Sequence, residues 1–312
     1  MEIKNIVIVG AGMMGNSLAQ VFAADTGLHV VLKTRELKDD RWQPIEKNLD
    51  IMISRGAATE EEKKRILERI HFVTDDTEAY ADADFIIECF PEIMETKQDL
   101  FAHIEKFCRR DCILATNTSV MSVTEISKKC THRDRVVGAH FWNPGHLIPL
   151  VEVVKSEFTT EEVMQDTIAL LDRVGKKPVY CKKDVPGFVA NRLQHALWRE
   201  AIYMVENGIA DPKTVDDSCK YGPGLRWPIL GPMENSDLVG IELTYNIHVN
   251  VLKALADNHE PSPLLQEMLS RGELGMKSGK GWQEWTPEQV EKINTGLREY
   301  LIDYNAKQKL KD

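Results

Sequence analysis

Residues 6–15 read Ile6-Val7-Ile8-Val9-Gly10-Ala11-Gly12-Met13-Met14-Gly15. A short apolar run ends in a G-x-G-x-x-G, and helix-forming residues follow from Leu18 to Ala24. That order describes a strand turning tightly into a helix, the context that gives an otherwise common glycine pattern its meaning. The first glycine permits the tight turn, the second lets the backbone approach a pyrophosphate, and the third lets helix and strand pack closely. A helix N-terminus offers free N–H groups and the positive end of a dipole to phosphates. Gly10, Gly12, Met13, Met14 and Gly15 are therefore the first cofactor-binding candidates. Val30-Val31-Leu32 is the next strand-like run, so the chain opens β–α–β and predicts a parallel sheet.

The alternation continues through the first half. Amphipathic helical stretches run from about Pro44 to Ser54 and from Thr59 to Ile70, the second opened by a Thr59/Glu62 capping box. Strand-like runs recur at Phe85-Ile86-Ile87, Ile113-Leu114-Ala115, Val136-Val137-Gly138 and Val151-Glu152-Val153-Val154, with a helical stretch from Glu95 to Phe107. Beyond Asp184-Val185-Pro186-Gly187 helical spacing takes over, punctuated by Gly222-Pro223-Gly224 and Gly231-Pro232. This predicts a dinucleotide-binding α/β domain over 1–185 and an all-α domain over 186–312. Two domains also suit 312 residues, at roughly 150 per domain.

The formal net charge of −10 excludes the basic face that nucleic acid calls for. No apolar run reaches the roughly 18 residues that span a bilayer, and the N-terminus lacks a signal peptide's features, so a cytoplasmic protein is expected. The six cysteines, Cys89, Cys108, Cys112, Cys130, Cys181 and Cys219, are scattered and read as reduced thiols. His103, Cys108, Cys112, Cys130 and His132 fit no common zinc spacing, so no metal is expected.

An NAD site usually carries an acidic residue about 20 positions after the glycines, for the ribose 2′-OH. Here that stretch reads Lys33-Thr34-Arg35, which would welcome a 2′-phosphate and slightly favours NADP-tolerant binding. The other reading leaves both cations solvated and gives the ribose to Glu36, so NAD and NADP stay open.

A second constellation is Asn117-Thr118-Ser119, His140-Phe141-Trp142-Asn143-Pro144 and Val151-Glu152-Val153. His140 closes one strand-like run and Glu152 sits in the next, so neighbouring strand ends can bring imidazole and carboxylate together. Oxidising an alcohol requires proton removal from oxygen as hydride leaves carbon, and a histidine suits that because its pKa lies near operating pH. A buried carboxylate would fix its tautomer. With a dinucleotide motif upstream, this reading outweighs an ordinary core pair.

These residues, with Leu150 to Val154, Pro186 to Arg192 and Lys277-Ser278-Gly279-Lys280-Gly281, resemble the 3-hydroxyacyl-CoA dehydrogenase family almost end to end. The resemblance implies a Rossmann-like domain followed by a helical dimerisation domain, a homodimer, and an active site in the cleft between domains. It implies His140 as general base, Glu152 as its orienting partner, and Ser119, Asn143 and Asn191 holding substrate or nicotinamide. Asn117, Glu92 and Lys97 would join the cofactor set, although Glu92 and Lys97 also read as ordinary charges at the start of a surface helix.

Some stretches are more similar to the free-acid branch, the carnitine and gulonate dehydrogenases. Gly145-His146-Leu147-Ile148-Pro149-Leu150 lacks the CoA branch's second proline, and Leu197 to Ala201 and Tyr221 to Trp227 resemble carnitine dehydrogenases. Arg226 would then clamp a carboxylate and Trp227 face a cation or flat group, or both serve only packing and interface. Phe141 and the Lys277–Gly281 stretch followed by Trp282 and Trp285 favour the CoA branch. Lys47, Arg55, Lys63, Lys64 and Arg65 would meet CoA phosphates, or simply form a solvated face. The expectation is an NAD(P)-dependent dehydrogenase of a small-molecule 3-hydroxyacyl substrate, with acyl-CoA ahead of a free hydroxy acid. A crystallin-like structural dinucleotide binder is the remaining alternative, and it would need neither an intact His–Glu pair nor a complete glycine motif.

Overall fold

A computed structural model describes Met1–Lys309, and its residues fall into two compact units. The first holds residues 1–192 together with those from 296 onward; the second holds residues 193–295. The sequence reading drew a single break near 185 and gave everything beyond it to the helical domain.

The first unit is built on an eight-stranded sheet: β1 (Asn5–Val9), β2 (His29–Lys33), β3 (Ile70–Val73), β4 (Phe85–Glu88), β5 (Ile113–Thr116), β6 (Val136–Phe141), β7 (Leu150–Val154) and β8 (Lys177–Cys181). Their order is β3-β2-β1-β4-β5-β6-β7-β8. The first six pair in parallel, β7 runs antiparallel to β6, and β8 runs parallel to β7. Chain order reverses between β1 and β4, the switch point outside which ligands bind in open α/β sheets. Helices α1 (Met13–Ala24), α2 (Gln43–Ser54), α3 (Glu60–Arg69), α4 (Asp76–Tyr80), α5 (Met94–Ile104), α6 (Val123–Ile126) and α7 (Glu161–Arg173) make the connections.

Alternation along the strands fills both faces. Ile6 and Ile8 of β1 join the core that holds Leu18 and Phe22, while Val7 and Val9 join the core with Tyr80 and Phe101. Thr59 and Glu62 do form the capping box that starts α3.

Helices α8 (Ala190–Glu206), α9 (Pro212–Tyr221), α10 (Pro232–Val239), α11 (Ile241–Val251), α12 (Pro263–Ser270) and α13 (Pro287–Lys309) complete the chain. The last turns of α13 belong to the first unit because their apolar residues pack there: Leu301 and Ile302 are buried with Leu147. Asn305 donates to the Leu147 carbonyl at 2.6 Å, and Arg55 pairs with Asp303 at 3.0 Å. The second unit is helical apart from isolated bridges at Gly275, Lys280 and Glu284. Ser262 and Met268 are its only buried residues. Among the described residues no helix is long and apolar enough to cross a membrane, and no His/Cys/Asp/Glu group forms a metal cluster.

Candidate active site

Most sequence candidates of the first unit lie at or just after the carboxyl ends of β1, β2, β4, β5 and β6; Glu152 stands within β7, Lys97 on α5 and Asn191 on α8. Gly10 follows β1 with φ +110°, a conformation a side chain resists, and an added Cβ would meet the Cys89 carbonyl at 3.1 Å. At Gly15 an added Cβ would stand 1.8 Å from the Gly10 carbonyl oxygen, so the turn closes only with hydrogen there. At Gly12 a Cβ would meet nothing within 4 Å. Gly12 is the N-cap of α1 and brings no side chain to its free amides, and the first turn has no acidic residue. Open space over unshielded helix N–H groups is what a pyrophosphate requires, so the residues fit a dinucleotide. Met13 is exposed, whereas Met14 packs against the sheet core.

The cations after β2 are not equivalent. Lys33 Nζ is 3.0 Å from Asp76 Oδ1 and 3.0 Å from the Thr74 carbonyl, so its charge is already engaged. Thr34 Oγ1 donates to the Glu36 carbonyl at 3.1 Å, and Glu36 itself pairs with Lys38 at 3.3 Å. Arg35 is exposed, its guanidinium 6.0 Å from the Phe90 ring centroid.

After β4 and β5 lies a polar network that the sequence showed only in part. Lys97 is buried, not a surface charge; its Nζ is 2.6 Å from Glu88 Oε1 and 3.5 Å from Glu92 Oε2. Glu88 has no exposed surface and also accepts from Thr116 Oγ1 at 2.7 Å. Glu92 accepts from the Ser119 amide at 2.6 Å and from Thr118 Oγ1 at 2.8 Å. Glu88 escaped the sequence reading, though a carboxylate ending the apolar run Phe85-Ile86-Ile87 was a visible signal. Asn117 Oδ1 accepts from the Phe141 amide at 2.8 Å, which ties the loop after β5 to β6. Asn191 Nδ2 donates to the Ser119 carbonyl at 3.0 Å.

His140 and Glu152 face each other as register partners across the antiparallel β6–β7 pair. His140 Nδ1 is 2.9 Å from Glu152 Oε2, with His140 4% and Glu152 0% exposed. A carboxylate only accepts, so Nδ1 carries the hydrogen and Nε2 is left for proton exchange. Glu152 Oε1 accepts the Val189 and Ala190 amides at 2.9 Å each, and Oε2 also accepts Trp142 Nε1 at 3.2 Å. Burial raises such a carboxyl, but the bonds from His140, the two amides and Trp142 outweigh it and hold Glu152 below the ordinary carboxylate range. The amides reach it because the chain turns through left-handed backbone at Gly187 (φ +75°) and Phe188 (φ +48°). The buried Phe188 ring lies 5.9 Å from the His140 ring. Trp142 and this turn lie in stretches that carry the family resemblance, but the sequence reading assigned neither a role. Asn143 is exposed and joined to Pro144 by a cis peptide. Arg226 and Trp227 belong to the second unit, where Trp227 is 48% exposed.

A doubly wound sheet with a glycine turn at its switch point and a His–Glu pair that begins three strands along from β1 defines a class, the nicotinamide-dependent dehydrogenases. Residues 5–185 match the family model described as "3-hydroxyacyl-CoA dehydrogenase, NAD binding domain", and residues 187–285 match "3-hydroxyacyl-CoA dehydrogenase, C-terminal domain". The chain is 36% identical to the "Probable 3-hydroxybutyryl-CoA dehydrogenase" of Bacillus subtilis over 288 residues, covering 91% of this chain and 98% of that one. It is 31% identical to the "5-formyl-3-hydroxy-2-methylpyridine 4-carboxylate 5-dehydrogenase" of Mesorhizobium japonicum over 308 residues, 96% of each chain. The crystal structure of a 5-formyl-3-hydroxy-2-methylpyridine 4-carboxylic acid 5-dehydrogenase, described as an NAD+ dependent dismutase, aligns over 97% of both chains, with a TM-score of 0.88 at 30% identity. FadB2 of M. tuberculosis aligns over 92% of this chain and 100% of its own, with a TM-score of 0.76 at 33% identity. The chain belongs to the 3-hydroxyacyl-CoA dehydrogenase family; it is an oxidoreductase with an NAD-type cofactor and a small-molecule substrate.

Two alanine substitutions separate the jobs of the glycines. Gly12→Ala should keep the wild-type melting temperature yet bind NADH at least about tenfold more weakly, because its Cβ enters the space the pyrophosphate needs. Gly15→Ala should cost the fold about 1–3 kcal/mol of overpacking or more and so lower the melting temperature itself. Calorimetry and NADH fluorescence titration read both effects; equal affinity in Gly12→Ala and wild type would exclude the assignment.

Proposed function

We propose that the protein interconverts a 3-hydroxyacyl substrate and its 3-oxo form with His140 as the proton-transfer group. The supporting observation is the buried His140–Glu152 hydrogen bond, 2.9 Å long, on strands β6 and β7 of the sheet that carries the dinucleotide turn. Bound NAD supplies the hydride acceptor. His140 takes the substrate's 3-hydroxyl proton on Nε2 in oxidation and returns it in reduction. Glu152 stabilises the imidazolium and keeps its orientation, and Trp142 with the Val189 and Ala190 amides keeps Glu152 ionised and in place. Ser119, Asn143 and Asn191 serve as substrate or nicotinamide contacts; Asn117, Glu92 and Lys97 shape the cofactor side, with Glu88 added as the group that anchors Lys97. His140→Gln should lower kcat by about 10²–10⁴-fold while changing NADH affinity less than about threefold; near-normal turnover would remove the assignment.

The substrate we propose is a short acyl-CoA such as a 3-hydroxybutyryl-CoA. The second reading is a free hydroxy acid or aromatic carboxylate, favoured by the near-complete match to the Mesorhizobium pyridine-carboxylate enzyme. For the cofactor, Lys33 is occupied by Asp76, so NADP tolerance rests on Arg35 alone. Initial rates with acetoacetyl-CoA, using NADH and NADPH in parallel, test these assignments. Fast turnover establishes the CoA reading, and NADPH use that falls selectively in Arg35→Ala establishes the tolerance. No turnover from folded, NADH-binding protein moves the assignment to free acids, where Arg226→Ala should raise KM; on the CoA reading Arg226→Ala changes little.

We further propose a division of labour along the lines read from the sequence: a nucleotide-binding N-terminal part and a C-terminal helical part that forms a homodimer. With Ser262 and Met268 its only buried residues, the second unit has no core of its own. Leu197, Trp198, Ile209, Ile229, Leu238 and Tyr245 are among its exposed apolar side chains, 42–76% accessible. Apolar surface on this scale marks a protein interface. Sedimentation equilibrium should give twice the chain mass, and Trp198→Glu should shift it toward the monomer; a stable wild-type monomer at micromolar concentration would exclude the dimer.

A further inference from the structure

Cys108 follows α5, and Cys112 immediately precedes β5, at the amino ends of the parallel strands and so opposite the glycine turn. Cys108 is half-buried and Cys112 fully buried. Cys112 Sγ donates to the Ile113 carbonyl at 3.6 Å. On the other side of Cys108 stands a buried cation. Arg135 is 3% exposed; its Nη1 is 3.6 Å from Cys108 Sγ and 3.3 Å from the Cys112 carbonyl, and also donates to the Arg109 carbonyl. Glu105, 3.5 Å from Nη2, neutralises only part of that charge, and Arg135 Nε is buried with no hydrogen-bond partner.

We propose that Cys108 and Cys112 are a modification site: a dithiol that hydroperoxides oxidise to an intramolecular disulfide, with Cys108 attacking and Cys112 resolving. The assignment rests on this pair and Arg135, and it stands whatever the enzyme's substrate. The Cys112 amide closes a turn onto the Arg109 carbonyl at 3.3 Å, and Arg135 Nη1 touches both residues, so the two thiols belong to one short turn around one cation. A thiolate, not a thiol, attacks peroxide. The hydrogen bond from Cys112 and the Arg135 charge overcome burial and bring Cys108 down to about 7, whereas the same bond, together with burial, pushes Cys112 well above the ordinary thiol value. Burial also pushes up the other buried thiols, Cys130 and Cys181, to about 12. Tyr80 and Cys130 are the other titratable groups near Cys108, and burial keeps both protonated near neutrality.

The chemistry balances with the peroxide alone. The Cys108 thiolate attacks one peroxide oxygen, the O–O bond breaks, and hydroxide leaves, giving a sulfenic acid. The Cys112 sulfur then attacks Cys108, the S–O bond breaks, and the second oxygen leaves as water with the thiol proton. Two thiols lose two electrons and two protons, and one hydrogen peroxide becomes two waters.

The test treats the reduced full-length protein with one equivalent of hydrogen peroxide, blocks free thiols with iodoacetamide and digests with trypsin. Trypsin cuts after Arg109 and Arg110, so a Cys108–Cys112 disulfide appears as two joined peptides. That joined pair should be the first oxidation product and should vanish with dithiothreitol. In Cys112→Ser the sulfenic acid should persist on Cys108 and be trapped by dimedone, and Cys108→Ser should give neither product. In the untreated wild type, alkylation of Cys108 should reach half its maximal rate near pH 7 rather than near the ordinary thiol value of about 8.5. Cys219 reacting first, a different cysteine pairing, or Cys108 alkylating no faster than Cys219 at pH 7 would overturn the proposal.

Discussion

The Glu152 carboxylate has no exposed surface, and an ionised group in that position survives only if its lone pairs are filled. Four donors fill them: the His140 imidazole, the Trp142 indole, and the amides of Val189 and Ala190. They come from three different constraints. His140 arrives through the register of an antiparallel strand pair, Trp142 from the residues just after that strand, and the amides from a left-handed turn. Removing the carboxylate would strand the donors of three segments at once, so the pair is a structural knot as much as a chemical one.

The same logic repeats one layer away. Glu88 and Lys97 are both buried, and each is tolerable only because the other is within 2.6 Å. Lys97 reaches on to Glu92, and Glu92 holds the Ser119 amide and the Thr118 hydroxyl. A chain of charge-assisted bonds thus fixes the loop after β5, and Asn117 passes the order on to β6 at the Phe141 amide. Electrostatic satisfaction fixes the loops around the glycine turn, where apolar packing is thin and an ordinary loop would be mobile.

What the sequence made legible was local. The glycine turn, the strands β1, β2, β4, β5, β6 and β7, the α3 capping box and the His140–Glu152 candidates all follow from short-range pattern. Two strands escaped it. Ile70–Val73 runs straight on from α3, so its four residues merged with the helical spacing before them. Lys177–Cys181 carries Lys177 and Pro178 and reads as loop; it is admitted as the last strand of the sheet, where a missing N–H is tolerated. Long-range partners were invisible too. Lys33 looked like a free cation because Asp76 is 43 residues away in sequence, and nothing beside Trp142 in the sequence tells that its indole nitrogen meets the Glu152 carboxylate. The antiparallel direction of β7, which makes His140 and Glu152 direct partners, is a topological fact that no window of residues contains.

The two units solve the problem of stability differently. The first fills both faces of its sheet with apolar side chains and spends its polar contacts on positioning. The second carries helices such as α9, α10 and α11 in which no residue is buried. Helices of eight to eleven residues are marginal in water without tertiary packing, and side chains such as Ile229 at 76% and Met233 at 73% exposure give an isolated copy no reason to stay folded. In the proposed homodimer a second copy supplies that packing without any new sequence requirement, since a twofold interface only asks one surface to complement itself. Stability of the helical unit and the association of two chains then become the same free energy, so its unfolding should depend on protein concentration as a self-contained domain's does not.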